Sequence, residues 1–344
     1  MADYSSSIYD NSGYLSIPAV LHHGFTYNFV IGARGVGKTY GAIKYVLENN
    51  ITAIYLRRSQ KAVDILNQYV YSPFKPVVTD MGLDCEYAKA APGSVALRDK
   101  NSGHVYFYTA ALSTFAGLRS FDMSAVTMII FDEFIPEATE SCHIKNEYEA
   151  FLNMYESVNR NRELNGQQPV KFLGMANANR LDNPIFMGLN LVSVLDKMMH
   201  DGTEVYYNKY RSISVINVMR SPISERKAKT ALYRLSEGSS YAKMALQNDF
   251  NLDTSDIIGA QQLIQYKPLV NVGELCIYRK KSGQDYYVSC RKSSGSAPYY
   301  ASDERSIDML KSRYKRLVYD YALTELFKYE DLKAKTLMAA YMKI

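Results

Sequence analysis

Residues 32–39 read GARGVGKT, which puts Gly32, Gly37, Lys38 and Thr39 on the spacing G-x-x-x-x-G-K-[ST] directly after the apolar and aromatic stretch 25–31. A strand that runs through a glycine-rich turn into a helix presents inward-facing backbone N–H groups at the turn, and so cradles an anion. Gly32, Ala33, Arg34, Gly35, Val36 and Gly37 would form the cradle. Lys38 would add a point charge on the β- and γ-phosphates, and the Thr39 hydroxyl would ligate Mg²⁺. The helical stretch 40–47 aims its N-terminus at the same place. The competing reading is an ordinary glycine-rich turn. Deciding between them requires the second half of a nucleotide site.

That half is the stretch 125–134, AVTMIIFDEF. So apolar a run, ending in acid, suits an inner strand of a parallel sheet whose polar end lies at the nucleotide. Asp132 would hold Mg²⁺ through water, and Glu133 would orient and activate the attacking water for hydrolysis of the γ-phosphate. A catalytic Glu beside the metal-binding Asp argues for hydrolysis rather than transfer to a second substrate. The chain is therefore read as an ATPase rather than a nucleotide kinase.

Further strands are expected at 52–56, 105–109 and 170–176. The first ends in Arg57 and Arg58, which could touch phosphates or cap the strand. The last stops at Asn177, with Asn179 and Arg180 beyond, where a γ-phosphate sensor would sit. The stretch 146–162 has Tyr148, Phe151, Leu152, Tyr155 and Val158 at helical spacing and ends in Arg160-Asn161-Arg162. Those arginines could reach into a neighbouring subunit's nucleotide site, or could complement the helix C-terminus. Beyond them, 204–218 alternates like paired strands, 224–248 reads as charged and helical, and a hairpin is expected at 275–279 and 286–290 around Ser282-Gly283. A helix from about residue 306 would close the chain.

At 344 residues and 39.0 kDa the chain exceeds what a P-loop core requires, which implies a second domain. The expected organisation is α/β: a P-loop core with a mainly parallel sheet over 1–197, a linker or lever over 198–248, and a smaller α+β domain over 249–344. No stretch reaches the length of a membrane span, and the first twenty residues lack the basic-then-apolar order of a signal peptide, so the expectation is a soluble, intracellular protein. Cys85, Cys142, Cys276 and Cys290 show no paired C-x-x-C spacing, and His22-His23 reads as a loop pair rather than metal ligands. Charge is uneven. Residues 271–344 hold fourteen Lys/Arg against nine Asp/Glu, a net of +5 that equals the +5 of the whole chain. The remainder is neutral, so the tail has either a surface for nucleic acid or a solvated cationic face.

Taken together, GARGVGKT, Leu56-Arg57-Arg58-Ser59, Gly117-Leu118-Arg119-Ser120 before IIFDEF, Asn159-Arg160-Asn161-Arg162 and the Asn177 strand end make the chain resemble the DNA-packaging ATPases of small tailed phages, relatives of the large terminase motors. The resemblance covers about residues 20 to 190. It implies ATP and Mg²⁺ as cofactors, Lys38, Thr39, Asp132 and Glu133 in the roles above, Arg160 as a trans-acting arginine finger with Arg162 as the fallback, and Asn177 as the sensor. It also implies a homo-oligomeric ring, a pentamer in that family, docked on the procapsid portal in the host cytoplasm. Double-stranded DNA would be the cargo and a structural packaging RNA a further partner. Large terminases carry an RNase H-like nuclease whose opening strand supplies a metal-binding Asp. The corresponding stretch 273–279 offers only Glu274, so the C-terminal domain is expected to resemble that fold without nuclease activity. A helicase, a conjugative DNA pump and an ATP-gated assembly switch are the alternatives.

Overall fold

The computed structural model describes residues 8–136, 144–177, 183–218, 221–239, 242, 246, 255–291 and 296–342. Cys142, Asn179, Arg180, Lys292, Lys343 and much of 240–254 lie outside them. The chain divides into two compact units, one of Met1–Gly188 with Met198–Asn251 and one of Leu189–Lys197 with Leu252–Ile344.

The first unit is built on a nine-stranded sheet, order β3-β4-β5-β2-β6-β7-β1-β9-β8. Its centre comprises β1 (Tyr27–Gly32), β2 (Ala53–Arg57), β6 (Met128–Asp132), β7 (Lys171–Ala176) and β9 (Ile213–Val218), all parallel to one another. These strands are apolar runs rather than alternating patterns because both faces are covered, and β6 and β9 are buried at every position. Antiparallel strands extend the sheet at both sides: β3 (Cys85–Ala91) and β4 (Ser94–Asp99) on β5 (Val105–Ala111), and β8 (Val205–Asn208) on β9. The β8–β9 pair supplies the paired strands expected at 204–218, though without the expected alternation, since β9 is buried at every position. Residues within the expected 198–248 linker thus lie in the sheet, with β9 directly beside the P-loop strand.

Register decides where the site forms. Ile31 lies opposite Ala176, Asp132 opposite Met175 and Leu56 opposite Phe131, so the C-terminal tips of β1, β7, β6 and β2 share one edge. That edge is where open α/β sheets place their ligands. Beneath it, Phe29 is fully buried and its ring meets those of Phe134, Phe172 and Phe186. Gly174 is the small residue this cluster requires, since a Cβ there would lie 3.0 Å from both Phe172 and Phe29.

The second unit has a five-stranded sheet, order β13-β10-β11-β12-β14. β10 (Tyr266–Val272), β11 (Leu275–Lys280) and β12 (Tyr286–Ser289) form an antiparallel meander, while β13 (Tyr299–Tyr300) and β14 (Phe327–Tyr329) add in parallel. The expected hairpin is therefore present. The expected closing helix is instead three helices, Glu304–Arg313, Lys315–Leu323 and Leu332–Met342. Tyr314 leaves helical geometry at φ −111, ψ 47, and the short β14 intervenes between the second and third. Of the fourteen cations in the tail, Arg291, Arg316, Lys333 and Lys335 pair with Glu330, Asp320, Glu274 and Asp256. Arg279, Lys281, Arg305, Arg313 and Lys315 are exposed.

Truncating one fully buried ring tests the core that supports the site edge. Phe29→Ala removes contacts with three rings at a residue of 0% exposure and should lower unfolding free energy by about 3–5 kcal/mol. Equilibrium denaturation of the two proteins measures the difference. A loss under about 1 kcal/mol would mean that the cluster does not bear on the stability of the sheet.

Candidate functional site

The helix α1 (Ile17–Leu21) starts at Ser16, whose hydroxyl accepts from the Ala19 N–H, and the residues before it lie against the P-loop. Leu15 N–H donates to the Val36 carbonyl at 2.9 Å. The loop then turns into α2 (Lys38–Glu48), with Gly35 and Gly37 at φ +71 and +93, conformations open to glycine at little cost. Ala42, Ile43, Val46 and Leu47 form the buried face of α2.

Lys38 is buried, and its ammonium donates to the Gly32 carbonyl at 2.8 Å, the Ala33 carbonyl at 2.9 Å and Asn177 Oδ1 at 3.1 Å. Burial lowers its pKa from 10.5 to about 8. Asp132 and Glu133 pull it back up, while Lys227 and Arg34 push it further down. Asn177 thus sits where expected, at the tip of β7, the strand lying between the P-loop strand and the acidic strand.

At the tip of β6, Thr39 Oγ1 donates to Asp132 Oδ2 at 3.1 Å, which brings a hydroxyl and a carboxylate together as hard oxygen donors of the kind Mg²⁺ takes. The same carboxylate oxygen accepts from the Tyr55 hydroxyl at 2.5 Å. Burial, and then the charge of Asp132, hold the Tyr55 phenol well above the usual range, so it serves as a fixed donor. Glu133 lies at φ +56, a left-handed conformation rarely taken by a side chain of its size. This bend carries the carboxylate out of the strand to an ion pair with Arg57, at half exposure. Such backbone costs of order 1–3 kcal/mol and clusters at functional sites.

A cavity of about 400 Å³ lies over this edge, lined by Arg34, Gly35, Gly37, Lys38, Thr39, Asp132, Glu133 and Asn177, with Tyr14 and Tyr40 at its side. The structure therefore brings together the P-loop, the acidic pair and Asn177. It keeps Arg160 and Arg162 out of their own chain's cavity. The helix Glu147–Asn159 buries Phe151, Tyr155 and Val158 as expected, but Met154 rather than Leu152, which is 43% exposed. It ends at Arg160, at φ 47, ψ −134. Arg162 Nη2 donates to the Ser124 and Val126 carbonyls at 2.5 and 2.7 Å, whereas the exposed Arg160 reaches the Ser157 and Phe121 carbonyls only at 3.4 and 3.5 Å.

Arg57 and Arg58 both form ion pairs at the tip of β2. Arg57 sits between the two acids, 3.8 Å from Asp132, and the buried Arg58 makes a two-pronged pair with buried Glu147 at 2.7 Å per contact. That pair ties the end of β2 to the start of the arginine-bearing helix. Sequence reasoning also missed Tyr14, Tyr55 and Lys227. Tyr55 sits inside an apolar strand with nothing to mark its hydroxyl. Tyr14 and Lys227 approach the P-loop from 24 residues before and 189 residues after Lys38, and neither belongs to a motif.

With this geometry in hand, comparison with known proteins places the chain. The profile of the family described as Podovirus DNA encapsidation protein (Gp16) matches residues 9–263. The DNA packaging protein of Bacillus phage B103 is 31% identical over 234 residues, 67% of this chain and 65% of that protein. The chain thus spans just under two thirds of that relative's length. The DNA packaging protein of Bacillus phage phi29 is 29% identical over 253 residues, 72% of this chain and 69% of that protein. A solved structure of the bacteriophage Phi-29 viral genome packaging motor assembly superposes with a TM-score of 0.68 over 98% of this chain and 100% of its own, at 20% identity, a likeness of fold.

The buried ammonium makes stability depend on pH in a definite direction. Folded Lys38 gives up its proton near pH 8, whereas the unfolded side chain keeps it to about 10.5. Between those values the unfolded state binds more protons, so stability rises with pH. The stability of wild type relative to Lys38→Met should therefore shift in favour of wild type between about pH 8 and 10.5, by up to about 1.4 kcal/mol per pH unit. Urea denaturation across that range reads it, and a flat or falling difference would contradict the buried charge.

Proposed function

The chain belongs to the Podovirus DNA encapsidation protein (Gp16) family, and from that membership we propose that it is an ATP-hydrolysing motor that translocates double-stranded viral DNA into a preformed procapsid. The observation that carries the reading is the convergence of Lys38, Thr39, Asp132, Glu133 and Asn177 on one cavity at the tips of β1, β6 and β7. A phosphoryl-transfer site needs positioning and charge, and these residues supply both.

The P-loop amides and Lys38 bind the β- and γ-phosphates. Thr39 and Asp132 hold Mg²⁺, which when bound neutralises charge on the phosphate oxygens. Asn177 shares Lys38 and orients it toward the terminal phosphate. Glu133 takes the proton of the attacking water. Its ion pair with Arg57 keeps it drawn aside until the phosphates compete for that cation. Arg160 supplies the finger to the adjacent subunit of a homo-oligomeric ring, a pentamer by family resemblance. Its weak contacts at home leave it free to move, whereas Arg162 is occupied with two carbonyls.

The second unit is an RNase H-like domain without nuclease activity. Glu274, the carboxylate preceding β11, is taken by Lys333 at 2.6 Å, so a cation stands beside the one acid that could begin a metal site there. Its exposed cations face nucleic acid, either the DNA cargo or a structural packaging RNA. The ring docks on the portal of the procapsid, in the host cytoplasm.

Two outcomes test the reading. Lys38→Ala should abolish ATP turnover, and Glu133→Gln should bind ATP but hydrolyse it about 10²–10⁴-fold more slowly. Arg160→Ala subunits should be inactive alone yet regain part of their hydrolysis when mixed with Glu133→Gln subunits, because an intact Glu133 then meets an intact Arg160 across some interfaces. No recovery in demonstrably mixed rings would refute the trans arginine.

The charge reading is tested in the full chain. Replacing Arg279, Lys281, Arg313 and Lys315 with Gln should weaken DNA binding and flatten its logarithmic salt dependence by up to about 3.6, the contribution of four phosphate contacts. An unchanged slope would return these residues to a solvated face. DNA cleavage by the wild-type protein with Mg²⁺ or Mn²⁺ would refute the loss of nuclease activity.

A further inference from the structure

A second lysine approaches the phosphate loop from behind. The helix Pro222–Ala228 follows β9 and places Lys227 Nζ 2.5 Å from the Arg34 carbonyl, with the ammonium 5.3 Å over the Tyr233 ring. A Cβ on Gly35 would lie 2.6 Å from the same nitrogen, so the lysine fills the space where a side chain at the loop apex would stand. The helix is itself held. Ser221 Oγ donates to the Gly13 carbonyl at 3.2 Å, and Pro222 lies 2.9 Å from where a Gly13 Cβ would be. The adjoining Tyr14 in turn packs 3.1 Å from the Cβ position of Gly37.

A trans peptide is planar, and its C=O and N–H point in opposite directions. Lys227 holds the Arg34 carbonyl and does not itself line the cavity, so the Gly35 N–H on the opposite side of the same peptide is turned toward the cavity that Arg34 and Gly35 line. A charge-assisted hydrogen bond is about twice as strong as a neutral one, and it also polarises the peptide so that the inward N–H becomes a better donor. Glycine at φ +71 could otherwise rotate this peptide at little cost.

Resting on the ATP-site reading above, we propose that Lys227 is a positioning residue of the nucleotide site: it locks the Arg34–Gly35 peptide so that the apex amide of the P-loop addresses the terminal phosphates. ATP then depends on Lys227 and ADP much less, because the apex lies at the end of the cradle away from the α-phosphate. The same bond makes the helix after β9 the first element to feel whether a γ-phosphate is present.

The test compares full-length wild type with Lys227→Met, which keeps the apolar stem over Tyr233 but removes the ammonium, and with Lys227→Arg, which restores a cationic donor. A non-hydrolysable ATP analogue and ADP are titrated against each, and kcat and KM for ATP are measured. Lys227→Met should lose about tenfold or more in affinity for the ATP analogue and less than about threefold for ADP, with Lys227→Arg close to wild type. Equal losses for both nucleotides would reduce Lys227 to general support of the loop and overturn the proposal, as would no loss. Should Lys227→Met not fold, Lys227→Gln serves in its place and must show the same direction. Wild type that binds neither nucleotide would instead overturn the ATP-site reading. Wild type that binds both, with a folded variant unchanged, overturns the role of Lys227 alone.

Discussion

A buried ammonium organises the ligand-facing edge of the larger unit. Removing an isolated lysine charge from water costs several kcal/mol, and Lys38 offsets part of that through acceptors from separate parts of the chain, the carbonyls of Gly32 and Ala33 and the side chain of Asn177, and through the nearby charges of Asp132 and Glu133. Those acceptors meet because β1 and β7 are paired in one register. The charge in turn draws the turn after β1 and the tip of β7 together, so sheet register and site geometry are two aspects of one constraint.

Around it the acids are balanced rather than simply presented. Asp132 is shared by Thr39, Tyr55 and Arg57, and Glu133 is bent outward by left-handed backbone into the same arginine. Asp132 and Glu133 are therefore both held by the Arg57 guanidinium, a cation for which a polyphosphate would compete. The buried Arg58–Glu147 pair extends this order to the helix that carries Arg160, which connects the acidic edge to the surface arginine through packed side chains.

How much of this was legible followed from how local the signal is. The P-loop, the acidic strand and Asn177 could be read from the chain because each is a short run whose chemistry sits next to a long apolar strand. Arg57 and Arg58 were visible as residues but not in role, since only the order β2-β6-β7-β1 decides which strand tips become neighbours. Leu152 fits the buried face of its helix by spacing alone, because spacings of three and four fit several faces, and packing selects Met154 instead. The hairpin β3–β4 escaped notice because its half-buried strands alternate weakly, and β14 because a three-residue strand carries no periodicity. Lys227 could not have been found from any window, being separated from Arg34 by 193 positions.

The position of β1 has a consequence for synthesis. It is the first strand of the sheet to be made, yet its partners are β7, opposite Phe172 to Ala176, and β9, opposite Ile213 to Val218. Closing such long loops costs only about 0.6 kcal/mol more per doubling of length, but contacts this distant in sequence make folding slow. On a ribosome the P-loop strand is thus exposed as an apolar edge while well over a hundred further residues are added. The nascent chain acquires its phosphate site only after β7 and β9 have been made, although the P-loop itself is among the first segments to emerge.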